Sequence, residues 1–371
     1  MKCLTVIGTR PEIIRLSEII KNLDKCVDHV LVHTGQSYDY EMSQIFFDEL
    51  KLRKPDYLLD VKSATVGEQI GKILTQTETV MIKEKPDAVL ILGDTNSALS
   101  CVMAKRLKIP IFHMEAGNRC HDERVPEEIN RRIVDATSDV NLAYTEHARR
   151  NLLAMGLPTQ NIFVTGSPLP EVYYNHYGDF NNSQILNELK LLPERYMVVS
   201  VHREENVDNK ENFETIIDAL HRLIEIYQIP IVFSAHPRTA KKFDGLTFWD
   251  SDQIRLHSPM GLFDFVKLEQ NAFVTLSDSG TASEDGAIFQ IPIVIPRQSI
   301  ERPESQDCGN VIQSGVDVDS IIEAVKLARM QVDDRIVFDN PYGNDHYCSD
   351  KIVRLIVGMH KIIKRKEYYV V

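Results

Sequence analysis

Three acidic side chains stand where short apolar runs give way to polar turns. They are Asp94 in Gly93-Asp94-Thr95-Asn96, Glu115 in His113-Met114-Glu115-Ala116-Gly117-Asn118-Arg119, and Glu127 in Pro126-Glu127-Glu128-Ile129-Asn130-Arg131-Arg132. Carboxylates gathered at such tips suit general acid–base work. Each also has an ordinary explanation. Asp94 fits a helix N-cap. Glu115 closes a buried run, a costly place for an unpaired charge. Glu127 and Arg131 are spaced as an ion pair on one helix face, and Pro126 with two glutamates suits a helix start.

A second set of residues is suited to anions. In Gly8-Thr9-Arg10-Pro11-Glu12, Gly8 permits close backbone approach, Pro11 can open a helix, and Arg10 adds a fork of donors beside that helix start. This is neither a GxGxxG fingerprint nor a GK[ST] loop. His202, followed by Arg203, closes an apolar run and is placed for a phosphate or a leaving group; His236-Pro237-Arg238 repeats the arrangement one run later. Ser279 and Gly280 could begin a helix whose backbone N–H groups hold a diphosphate, with Asp285 one turn on for a sugar hydroxyl; plain Ser-rich capping is the alternative. Arg302, after the run 291–296, could pair with a carboxylate or touch phosphate.

Elements that alternate must carry these groups. Apolar, β-branched runs at 3–8, 29–35, 88–94, 109–117, 139–144 and 162–166, then at 196–202, 229–236, 272–278 and 291–296, read as strands buried on both faces. Helical stripes lie between them, at Pro11 to Leu23, 127–137 and 210–227. Strand–helix alternation predicts an α/β fold with parallel sheets and right-handed crossovers. The pattern occurs twice around an interruption near 168–192. We therefore expect two doubly wound, Rossmann-like domains, over 1–167 and 168–350, facing a cleft, and a C-terminal helix over 351–371 able to pack back on the first.

The chain has 371 residues and a formal net charge of −12. That balance argues against a general positive field for nucleic acid or anionic lipid, while leaving room for a local basic pocket. No apolar stretch reaches the roughly 20 residues of a membrane helix, and the apolar start ends at Gly8, short of a secretory core. The 6 cysteines are scattered without a CxxC pair, which fits reduced thiols in a cytoplasmic protein and gives no metal site.

In order along the chain, GTRPE (8–12), GDTNS (93–97), MEAGNR (114–119), PEEINRR (126–132), HREEN (202–206), DSG (278–280) and ERPE (301–304) resemble the non-hydrolysing UDP-N-acetylglucosamine 2-epimerase family. The resemblance covers nearly the whole chain. It implies two Rossmann-like domains of the GT-B glycosyltransferase type, no metal or nicotinamide cofactor, a UDP-2-acetamido sugar as partner and a homodimer. It implies removal of the C2 proton, loss of UDP to leave a bound 2-acetamidoglycal, and re-addition after protonation of the opposite face. Matched motif by motif, Asp94, Glu115 and Glu127 are the acid/base residues and His202 serves the departing UDP. Arg10, Arg131, Ser279, Gly280 and Arg302 fall to substrate binding, and His236 joins them. Asp285 stands where the family has a glutamate toward the ribose.

Some positions depart from the family pattern. Arg15 replaces a lysine, and Gln36-Ser37 replaces a glutamine–histidine pair, so an allosteric substrate site does not carry over. MEAGNRC, RVPEEINRRIVD and YTEHARR are similar to the 6-deoxy branch. That branch converts UDP-2-acetamido-2,6-dideoxy-β-L-talose to UDP-N-acetyl-L-fucosamine for capsule or O-antigen. UDP-GlcNAc is the alternative substrate. A GT-B glycosyltransferase is the alternative of another class, but three carboxylates on one domain favour epimerisation.

Overall fold

The computed structural model describes residues 1–36, 40–235, 237–243 and 253–368. Two compact units divide the chain. The first comprises Met1–Asn175 and Tyr342–Val371, and the second His176–Pro341.

In the first unit seven parallel strands form one sheet. They are β1 (Lys2–Ile7), β2 (Asp28–His33), β3 (Tyr57–Leu58), β4 (Ala88–Leu92), β5 (Ile111–Met114), β6 (Val140–Ala143) and β7 (Ile162–Val164), in the order β3-β2-β1-β4-β5-β6-β7. The second unit repeats the plan with β8 (Met197–Ser200), β9 (Ile231–Ser234), β10 (Ile254–His257), β11 (Thr275–Ser277), β12 (Ile293–Ile295) and β13 (Ile312–Gln313), in the order β10-β9-β8-β11-β12-β13. Every strand of β4, β5 and β6 is buried along its whole length, as helices on both faces require. The expected α/β fold with two doubly wound parallel sheets is the one observed.

Strands β3, β10 and β13 were not among the expected runs. All three lie at sheet edges and two of them span only 2 residues, too short to raise a periodic signal. The order of each sheet reverses once, between β1 and β4 in the first unit and between β8 and β11 in the second. Such a switch point leaves a crevice at the strand C-termini for ligand.

The helix Arg10–Cys26 follows β1. Glu12 accepts the Thr9 N–H at 2.7 Å, and the stripe Ile13, Leu16, Ile19, Ile20 and Leu23 is buried. The closing helix Cys348–Tyr368 lies against it, with Asn22 Nδ2 donating to Asp350 at 2.9 Å. The helix Pro126–Thr137 is turned the other way about. Its buried side chains are Glu128, Arg131, Val134 and Asp135, while Ile129 and Ile133 are exposed. A helix that puts charges inside and isoleucines outside has charged groups of other elements to meet.

Candidate active site

Gly8, at the tip of β1, and Gly93, at the tip of β4, flank the switch point of the first unit. A Cβ on Gly8 would lie 2.1 Å from Ser97 Oγ and 2.3 Å from Thr34 Oγ1, so three turns meet there with no room for a side chain. Glu12 joins two of them. Its carboxylate accepts from Gly8 N at 2.7 Å and from Thr95 Oγ1 at 2.8 Å. Burial pushes its pKa up to about 7, against the pull of those hydrogen bonds. Arg10, on the same turn, is exposed, with its guanidinium 5.7 Å from the Phe46 ring centroid.

Asp94 and Glu115 occupy neighbouring strand tips. Gly93 has φ +72° and Glu115 φ +62°, a left-handed conformation that costs a glutamate on the order of 1–3 kcal/mol and is characteristic of functional turns. The position of a Cβ on Gly93 lies 3.6 Å from Glu115 Oε2, which brings the two acidic turns together. Glu115 also receives Asn118 Nδ2 at 2.9 Å and lies 3.4 Å from Arg15 Nη1. Arg15, a departure from lysine in the family pattern, thus places a cation beside Glu115.

The helix Pro126–Thr137 binds this pair from one side. Arg131 Nε meets Asp94 Oδ2 at 2.8 Å and its Nη1 meets Glu128 Oε2 at 2.8 Å. Asn130 Nδ2 donates to the Asp94 carbonyl at 2.9 Å. Arg131 therefore turns to Glu128 and Asp94, not to Glu127 as the i,i+4 spacing suggested. Burial alone would raise the Glu128 pKa, but the Arg131 hydrogen bond and the Cys120 N–H outweigh it and hold the carboxyl below its usual range. Glu127 stands half-buried in the first turn of that helix. Glu128 was missed in sequence because its neighbour has the same side chain; only the helix rotation tells them apart.

In the second unit Asp278, at the end of β11, is the anchor of the switch point. Fully buried, it accepts His202 N at 3.0 Å, Arg203 N at 2.9 Å and Asn206 Nδ2 at 3.0 Å. His202 Nδ1 lies 3.4 Å from Asp278 Oδ1, while 38% of the His202 side chain stays exposed. Asp278 is thus a second residue that sequence reasoning passed over, although it stands in the quoted DSG motif. Ser279 caps the helix Gly280–Phe289 by accepting Thr281 N at 3.3 Å. A Cβ on Gly280 would lie 3.9 Å from Arg203 Nη2, so a guanidinium lies over that helix start. His202 and Arg203, the latter also 3.4 Å from Glu301, thus stand beside a helix start, the kind of place where backbone N–H groups favour an anion.

Arg302 and Asp285 lie deeper. Arg302 is 2% exposed and meets the buried Glu284 at 3.0 Å. Asp285 is 2% exposed, and its charge adds to the burial that drives the pKa of Glu269 up. Arg297 grips Glu301 at 2.8 and 3.1 Å and reaches Glu205 at 2.7 Å, tying the loop after β12 to the loop after β8. His236 lies outside the described residues. Among the described residues no cluster of three or more metal-ligating side chains occurs, and no helix is long and apolar enough to cross a membrane.

Two parallel α/β units with polar groups at their switch points define the two-domain GT-B class. The family model described as UDP-N-acetylglucosamine 2-epimerase matches residues 21–357, so the chain belongs to that family of isomerases. A UDP-N-acetylglucosamine 2-epimerase structure from Rickettsia bellii is 43% identical, covers 100% of both chains and superimposes with a TM-score of 0.93. The Methanocaldococcus jannaschii UDP-GlcNAc 2-epimerase, solved in complex with UDP-GlcNAc and UDP, is 38% identical over 96% of this chain and 100% of that one, with a TM-score of 0.90. A UDP-2,3-diacetamido-2,3-dideoxy-D-glucuronate 2-epimerase from Pseudomonas aeruginosa is 34% identical over 88% of this chain and 92% of its own.

Proposed function

We propose that the protein inverts C2 of a UDP-2-acetamido sugar by eliminating and re-adding UDP. The observation that carries this reading is the convergence of Asp94 and Glu115 at adjoining strand tips, both held by cations on buried elements. An epimerase of this kind needs proton carriers for the two faces of C2 and a means of stabilising the leaving diphosphate. Asp94, Glu115 and Glu127 are assigned to the proton transfers. His202, Arg203, Ser279 and Gly280 are assigned to the diphosphate, whose charge grows as the C1–O bond breaks. Asp285 and Arg302 keep their assignment to the substrate through the helix Gly280–Phe289 and the loop that borders it, not through exposed side chains. Arg10 and His236 remain proposed ligands of the substrate.

The names of the relatives support UDP-GlcNAc as the substrate class. The segments MEAGNRC and RVPEEINRRIVD favour, as a second reading, UDP-2-acetamido-2,6-dideoxy-β-L-talose. Incubation with each UDP-sugar in D₂O tests both. Deuterium at C2 of an intact UDP-sugar is the expected result, and the sugar that exchanges names the substrate. Release of UDP in proportion to free sugar, or transfer to an acceptor, would overturn the proposal. Exchange that survives in Asp94→Asn, Glu115→Gln and Glu127→Gln alike would overturn the residue assignment.

A further inference from the structure

His113 and Asp135 form a buried link that none of the assigned roles uses. His113 is 1% exposed on β5 and Asp135 is fully buried on the helix Pro126–Thr137. The ring reaches sideways to the next strand, and its Nε2 lies 2.9 Å from the Gly93 carbonyl oxygen. That carbonyl belongs to the peptide bond that leads into Asp94. The Gly93 N–H donates in turn to the Met114 carbonyl at 3.0 Å. Both backbone groups of the left-handed Gly93 are therefore held by β5, one by the chain and one by the imidazole.

On its other side, His113 Nδ1 lies 3.0 Å from Asp135 Oδ1, a close approach out of line for a hydrogen bond. The same carboxylate accepts the Gly117 N–H at 3.2 Å and Arg119 Nη2 at 2.6 Å. Gly117 and Arg119 close the turn that begins with Glu115. Asp135 thus fixes the far end of the Glu115 turn directly and packs against the imidazole whose Nε2 meets the carbonyl at the near end of the Asp94 turn. The helix that carries it also carries Asn130 and Arg131, which hold Asp94 from the opposite direction.

We propose that His113 and Asp135 are positioning residues for proton transfer at C2, setting the Asp94 and Glu115 turns in one fixed relation. The proposal rests on the acid/base reading of those two carboxylates. Glu115, a left-handed residue with a side chain, would otherwise relax toward ordinary backbone geometry, while Gly93 accepts its φ without strain and needs its partners only to fix where the Asp94 turn sits. Proton transfer is steep in distance, so a small displacement of either carboxylate lowers turnover without touching the diphosphate site of the second unit.

The test compares His113→Gln, His113→Phe and Asp135→Asn in the full chain. Deuterium uptake at C2 gives kcat, and titration with UDP gives Kd. Gln keeps a donor for the Gly93 carbonyl; Phe keeps the ring volume alone. The expected result is a fall in kcat of about 10- to 100-fold in His113→Phe and Asp135→Asn, a much smaller fall in His113→Gln, and an unchanged Kd for UDP. A packing role predicts the reverse order, with Phe tolerated and Gln harmful, and that order would overturn the proposal. If His113→Phe does not fold, wild-type kcat in Asp135→Asn overturns it equally. Asp94→Asn and Glu115→Gln run alongside. If they keep exchange, the acid/base reading itself fails; if they lose it while His113→Phe and Asp135→Asn turn over normally, only the positioning role fails.

Discussion

Replacing Glu12 by Gln should free the protein from a pH dependence that its first turn imposes. Glu12 is 2% exposed, and burial lifts its pKa from 4.5 to about 7. The folded protein therefore holds the Glu12 proton more tightly than the unfolded chain does. The stability tied to that proton is fully present below pH 4.5 and is lost as the pH rises through about 7. At roughly 1.36 kcal/mol per pH unit, the loss by pH 8 is about 3 kcal/mol.

Glutamine carries no such cost and can keep the same contacts. Its carbonyl can accept the Gly8 and Thr9 N–H groups, and its amide can donate to Thr95 Oγ1 once that hydroxyl turns round. Glu12→Gln should then match the wild type near pH 4.5 and exceed it by about 3 kcal/mol at pH 8. Urea unfolding of both chains across this range, read as the difference between them, is the assay. Parallel pH profiles for the two proteins would refute the reasoning, because they would show that Glu12 ionises alike in the folded and unfolded states.

Other outcomes follow from the same contacts. Asp278→Asn leaves one oxygen and no charge for the His202 and Arg203 N–H groups, so UDP affinity measured by calorimetry should fall about 10- to 100-fold, at 1.5–3 kcal/mol for hydrogen bonds to a charged group. Equal affinity would show that the loop holds its shape without that carboxylate. Arg297→Ala removes two short hydrogen bonds from the buried Glu301 and leaves it Arg203 at 3.4 Å, and unfolding of the second unit followed by hydrogen exchange should show a loss of about 1.5–3 kcal/mol. Gly8→Ala must displace Ser97 and Thr34, and thermal unfolding should register about 1–3 kcal/mol of destabilisation; an unchanged midpoint would contradict the close approach at the β1 tip.

The strands of both sheets and the placement of Asp94, Glu115 and His202 at strand tips were legible in sequence, because fully buried parallel strands leave continuous apolar runs. The edge strands β3, β10 and β13 were not, since two or four residues at an edge carry little apolar signal, whereas the edge strand β7 was. The helix over 127–137 was legible as a helix but not in its rotation. Periodicity marks Ile129 and Ile133 as one face, yet the structure turns Glu128, Arg131 and Asp135 inward to meet Asp94, His113 and Arg119. Asp278 and His113 were visible as residues but not as partners, because each acts on a turn far away in sequence.

The return of the chain from Tyr342 onward to the first unit has a consequence for synthesis. The second unit, His176–Pro341, is one unbroken stretch and is complete as soon as it leaves the ribosome. The first unit is made earlier but lacks the helix Cys348–Tyr368, which covers the helix Arg10–Cys26, until that helix too has been made. At about 5–20 residues per second, the nascent first unit waits on the order of 10–40 s with the face of its first helix uncovered. The later-made unit is thus the first to finish folding, and the unit that carries Asp94 and Glu115 is sealed by the helix Cys348–Tyr368.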